Sequence, residues 1–170
     1  MRAQASYAAG RADLTHWGTH MPGNLEIDPD LAFVTGVAHR LALSLATLVV
    51  DQTLLSESDV PFEPFTAALA INRRLTANAV RDAAGFDSSR HVDLDPASVF
   101  FERVAANARE NGDQCGEQVF AVLETVMRRS LGSLYQAFVR GDGVVEVPFF
   151  LFGRLRGGPL IGLRSIAIET

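Results

Sequence analysis

With 170 residues, 48% of them hydrophobic and 21% charged, the chain has the size and composition of one globular domain. A chain this long buries about 70% of the surface its unfolded form exposes, so it folds without staples. The net charge of −5 argues against the basic stripe of a nucleic-acid binder, and a single cysteine, Cys115, rules out an internal disulfide.

No His/Cys cluster has zinc-ligand spacing, and Cys115 reads as a small core or helix-surface residue. All fifteen basic residues are arginines, which reads as coding bias rather than chemistry. The longest apolar run, Leu41–Val50, is too short to span a bilayer and follows His39 and Arg40. The first residues lack a basic start followed by an apolar core, so the expectation is a cytoplasmic protein without membrane contact.

In chain order, residues 1–30 are expected to form a mobile N-terminal arm, with the domain proper over 31–170. The arm shows neither helical nor strand period as far as Asn24. Met21 offers an alternative start, in which case the preceding residues are a mis-called extension. His16 and His20 are spaced for one helix face, but the composition around them reads as a solvated tail.

The first helix is expected to open at Asp28 as cap and Pro29 as first residue. Leu31, Val34, Ala38, Leu41, Leu45 and Leu48 then form its buried stripe. It runs toward an acidic stretch, "LLSESDVPFEPF" (Leu54–Phe65), in which Glu57, Asp59 and Glu63 gather within a few positions. Ser56 and Ser58 can bond nearby backbone, Pro61 stiffens the exit, and Phe62 and Phe65 anchor it to a core. Such loops carry binding groups; the plainer reading is a solvated helix end and turn. Pro64 implies that any strand here is short or bulged.

Ile71–Val92 is polar and weakly patterned, with room for part of a strand or helix. A second helix is expected at "DPASVFFERVAANA", capped by Asp95, begun by Pro96, and burying Phe100, Phe101 and Val104. A third follows Gly116, with Val119, Phe120, Leu123, Val126, Met127 and Leu131 as its apolar face.

The period then changes to two. "YQAFVR", a "GDG" turn, "VVEVPFFLFG", a "GG" turn and "LIGLRSIAI" read as a three-strand meander. The middle strand is apolar at nearly every position, so helices should cover the sheet on both faces. Pro148 within it implies a bulge or an unpaired face. Glu169 and Thr170 close the sequence directly after this last strand.

Two of these stretches together are specific. "SESDVPFE" near the end of a first helix, "VDLDPASVFFERV" before a second, and a meander closing on "GLRSIAIET" resemble the nuclease A inhibitor family. The likeness runs from about Val34 to Thr170, in the same order along the chain. The resemblance implies an α+β fold, an α/β/α sandwich with three main helices around a largely antiparallel sheet. It implies a protein that is not an enzyme and plugs the active site of a non-specific DNA/RNA endonuclease with a ββα-metal site. In that family the last threonine ligates the nuclease's divalent ion, usually Mg²⁺, and the first glutamate of the acidic motif engages the nuclease. By this likeness Thr170 is the metal ligand, toward the partner's ion only, and Glu57 the second contact. Ser56, Ser58, Asp59, Glu63 and Glu169 are expected around them. The chain would need no cofactor of its own, with Mg²⁺ supplied by the partner.

The chemistry suits those residue types. Mg²⁺ takes hard oxygen donors and is usually held by one or two carboxylates plus phosphate. A terminal carboxylate beside a β-hydroxyl offers similar atoms to a phosphodiester, and Glu57 would add a charge where the neighbouring phosphate belongs.

Three rival readings remain at this point: an enzyme using Glu57, Asp59, Glu63 and His91, an interaction module of the same fold without inhibitory activity, and a DNA mimic acting on another protein. Against an enzyme, no HExxH, GxSxG or Walker motif is present. His39 and His91 are single and read as structural.

Overall fold

The computed structural model describes residues 29–54, 60–70, 73–155 and 158–169. Among these, four helices and five strands follow in the order α1 (Pro29–Leu48), β1 (Glu63–Ala67), α2 (Ala77–Ala83), β2 (His91–Pro96), α3 (Ser98–Glu110), α4 (Gln114–Ser130), β3 (Leu134–Arg140), β4 (Glu146–Arg154) and β5 (Leu160–Ile168). The expected α+β class with a C-terminal meander therefore holds. The N-terminal arm to Asp28, the side chain of Leu31, the loop residues Ser56–Asp59, Gly157 of the "GG" turn, and Thr170 lie outside the described residues.

The strands form one antiparallel sheet in the order β1-β5-β4-β3-β2, leaving β1 and β2 as its edges. Strand periodicity divides the side chains between two cores. Val147, Phe149 and Leu151 of β4, with Ile161, Leu163 and Ala167 of β5, face a core completed by α1, α3 and α4. Phe150 and Phe152, with Leu160, Ala137 and Val139, face the other, which Ala79 and Val80 of α2 help to close. The three long helices thus share one face, and the seven-residue α2 serves the opposite one.

α2 arises from the weakly patterned middle. Thr76 sits in extended backbone and its hydroxyl accepts from the Ala79 amide at 3.2 Å, satisfying a donor the first helical turn leaves free. α4 starts in the same manner, on an Asp113 carboxylate that accepts from the Gly116 amide at 2.9 Å.

Two sequence expectations need correction. Asp95 and Pro96 do not open α3. They end β2, opposite Gln136 and Tyr135 of β3, and Ala97 takes the cap position without a side-chain bond. A proline fits there because β2 is an edge strand, so one side of its backbone has no ladder to supply. Leu48 is not part of the α1 stripe: it is 38% exposed, while Val49 just beyond the helix is fully buried. The stripe runs through Ala38, Ala42, Leu45 and Val49, with Leu41 packed at its side.

Both strand prolines are accommodated without a shift of register. Pro148 lies opposite Ile166 in an unbroken β4–β5 ladder, and pairing to β3 stops one position earlier, at Phe138 opposite Phe149. The unpaired-face alternative is the one realised. Pro64 sits in a short edge strand, in register with Leu163.

Gly162 of β5 is required by close approach. It lies between Phe65 and Phe152, whose ring centroids are 6.2 Å apart, and a Cβ there would stand 2.0 Å from the Leu151 carbonyl oxygen.

Candidate functional site

The acidic stretch is gripped on both sides. Leu54, its first residue, is buried in the core under α1, α3 and α4. Toward its end, Phe62 enters the same core and meets Phe100, Phe120 and Phe149 edge-on at centroid distances of 6.2–6.4 Å. Phe65, three residues on, points through the other face onto Phe150, 4.7 Å away. The two expected aromatic anchors thus hold the exit from opposite sides of the sheet. Thr53 bridges Pro61, so entry and exit come together.

That exit runs beside the last turn-free stretch of the chain. β1 meets β5 with Glu63 opposite Arg164, and β5 continues past that point to Ile168. Along this overhang the buried Ser165 donates its hydroxyl to the Val60 carbonyl at 3.0 Å. Val60 and Glu169 therefore belong to the same end of the sheet, some four strand residues apart, or roughly 13 Å.

Of the site residues expected from sequence, Ser56, Glu57, Ser58, Asp59 and Thr170 lie outside the described residues. The remaining two carboxylates are each held by an arginine. Glu63 Oε2 accepts from Arg164 Nε at 3.0 Å and Nη2 at 2.7 Å, a directly opposed cross-strand pair. Glu169 accepts from Arg140 Nε at 2.9 Å (Oε2) and 3.2 Å (Oε1), and from Nη2. Its backbone amide donates to Val145 at 3.0 Å.

Arg140 is itself fixed from three directions. Its Nη1 pairs with Asp93 of β2, its guanidinium carbon lies 5.2 Å from the centroid of the Phe138 ring, and its other donors bind Glu169. His91 Nε2 also reaches Asp93, at 2.8 Å. The hydrogen bonds from Arg140, aided by its charge and only partly opposed by burial, hold the Glu169 carboxyl below the usual glutamate range. The same bonds raise the Arg140 pKa above its ordinary value.

Sequence reading missed Arg140, Asp93, Arg164 and Ser165. The available signal was a lone arginine in an otherwise apolar strand, as Arg164 is in "LIGLRSIAI". The pairing of Arg140 with Glu169 spans 29 residues and leaves no local trace.

Of the residues of the enzyme alternative, Glu63 and His91 are described, and they lie far apart. Glu63 lies on edge strand β1 and His91 on the opposite edge β2, four strand spacings or roughly 19 Å away. Among the described residues no group of three or more His, Cys, Asp or Glu side chains is placed to hold a metal ion. His39 is exposed on α1, away from the buried stripe, and Cys115 is exposed on the first turn of α4. No helix among the described residues is long and apolar enough to cross a membrane.

A search of the curated proteins found no match to the chain. A family model described as nuclease A inhibitor-like protein matches residues 39–170, which takes in the second half of α1, all five strands and every later helix. This span agrees with the likeness drawn from the acidic stretch and the closing meander. The chain belongs to the nuclease A inhibitor-like protein family.

Proposed function

We propose that this protein inhibits a non-specific, metal-dependent DNA/RNA endonuclease by occupying its active site. The family match over 39–170 is the observation that carries the reading. In it, Thr170 ligates the ion held by the nuclease's ββα-metal site, and Glu57 engages cationic groups nearby. Ser56, Ser58, Asp59, Glu63 and Glu169 surround these two contacts. The inhibitor needs no cofactor, and the Mg²⁺ belongs to the partner.

The anchoring of the acidic stretch supports a two-point grip. Its exit is pinned to β5 through Val60 and Ser165, and Glu169 follows the same strand. Two anionic groups mounted on one rigid frame lose less ordering entropy on docking than two on loose tails. Each would meet groups that normally stabilise the transferring phosphoryl, so inhibition works by counterfeiting adjacent phosphates. The net charge of −5 would also speed encounter with a basic cleft.

An assay of DNA and RNA hydrolysis by such a nuclease, with Mg²⁺ saturating and the protein titrated in, tests the reading. Stoichiometric loss of both activities is expected, with nuclease and protein co-eluting as a complex. Full hydrolysis at excess protein contradicts it and leaves the interaction module without inhibitory activity as the better account.

A further inference from the structure

The last described residue is not a frayed end. Glu169 is tied through its amide to Val145 and through its carboxylate to Arg140. Arg140 does not sit on a neighbouring strand: β4 lies between β3 and β5, and ladder pairing between β3 and β4 has already stopped at Phe138. The guanidinium therefore spans the mouth of the β3–β4 hairpin to reach the end of β5. With Asp93 on β2 behind it, the set Asp93–Arg140–Glu169 forms a strap across this end of the sheet.

A planar guanidinium is suited to this. Its fork fixes both the distance and the plane of a carboxylate, which a single ammonium does not. The Phe138 face beneath it and Asp93 beside it remove the freedom a long exposed side chain would keep.

We propose that Arg140 is the positioning residue for the residue that follows Glu169: it orients Glu169 so that Thr170 is presented to the nuclease in one direction. Glu169 then also acts inward, as a handle, besides standing next to the partner contact. This rests on the inhibitor reading, and it adds to that reading the group that keeps the metal-directed tip in place. Because Arg140 and both its carboxylate partners are surface groups, the strap contributes little to global stability. Its effect falls on presentation.

The test pairs binding with a direct measure of order. Arg140→Ala and Arg140→Lys are compared with the parent for nuclease inhibition, thermal unfolding and ¹⁵N relaxation of the Glu169 amide. Arg140→Ala is expected to weaken inhibition about tenfold and bring fast motion to Glu169, with the unfolding temperature nearly unchanged. Arg140→Lys, which keeps the charge and loses the fork, should fall between. An unchanged Glu169 relaxation in Arg140→Ala overturns the proposal, as does undiminished inhibition beside an inhibiting parent. A parent that inhibits no such nuclease overturns the proposed function instead, and the relaxation of Glu169 then decides the strap by itself.

Discussion

Ser165 donates its hydroxyl to the carbonyl of Val60 at 3.0 Å, joining the exit of the acidic stretch to the strand that carries Glu169. The bond is partly buried, on the Ser165 side, so Ser165→Ala takes the donor from a half-buried carbonyl. The expected cost is about 1 kcal/mol, or a fall of about 2–4 °C in the unfolding temperature. Inhibition should weaken a few-fold because the two anionic points lose their common mount. Calorimetry with an inhibition assay checks both; an unchanged melt means the bond adds nothing.

Phe62 is the deeper anchor. Truncation to alanine removes a ring that meets three others and opens a cavity under α3 and α4. Phe62→Ala should cost about 3–5 kcal/mol, read as a shift in the denaturant midpoint. A shift matching that of a surface substitution would show that the exit of the acidic stretch is not seated in the core.

Gly162→Ala tests the close approach of β4 and β5. The obstruction is backbone, the Leu151 carbonyl and the Phe152 Cα, so no side-chain rotation relieves it. The expected loss is about 1–3 kcal/mol in the same denaturant measurement. A neutral or stabilising result would contradict the packing described for that face.

The Arg140–Glu169 pair makes a pH prediction with a definite sign. The Glu169 pKa is depressed in the folded chain, first by the hydrogen bonds from Arg140. The pair's contribution is therefore complete above the ordinary glutamate range and is lost as pH falls through the depressed value. A ¹³C carboxyl titration should place the Glu169 midpoint below that range, and Arg140→Ala should bring it back up. Equal midpoints in the two proteins would contradict the strap.

Long periodic segments were legible from sequence because their pattern is set by burial. The meander, with its switch to period two, fell where the three last strands are, and Phe100, Phe101 and Val104 are buried as their spacing required. What misled was local chemistry overridden by pairing. "DP" before "ASVFF" has the form of a helix start, but Asp95 and Pro96 are claimed by the ladder to β3. α2 was illegible because seven residues with two buried positions make too short a pattern. At the site, the acidic stretch stood out by composition, whereas the arginines that hold Glu63 and Glu169 come from distant parts of the chain.

The central proposal is the contact of Thr170 with the nuclease's ion, with Glu57 as the second contact. The most direct measurement is the inhibition constant after adding one glycine beyond Thr170, set against Glu57→Ala and the parent. Each change should weaken inhibition at least tenfold, about 1.4 kcal/mol, while unfolding stays as in the parent. Equal inhibition by the glycine-extended protein would contradict the terminal-ligand mechanism.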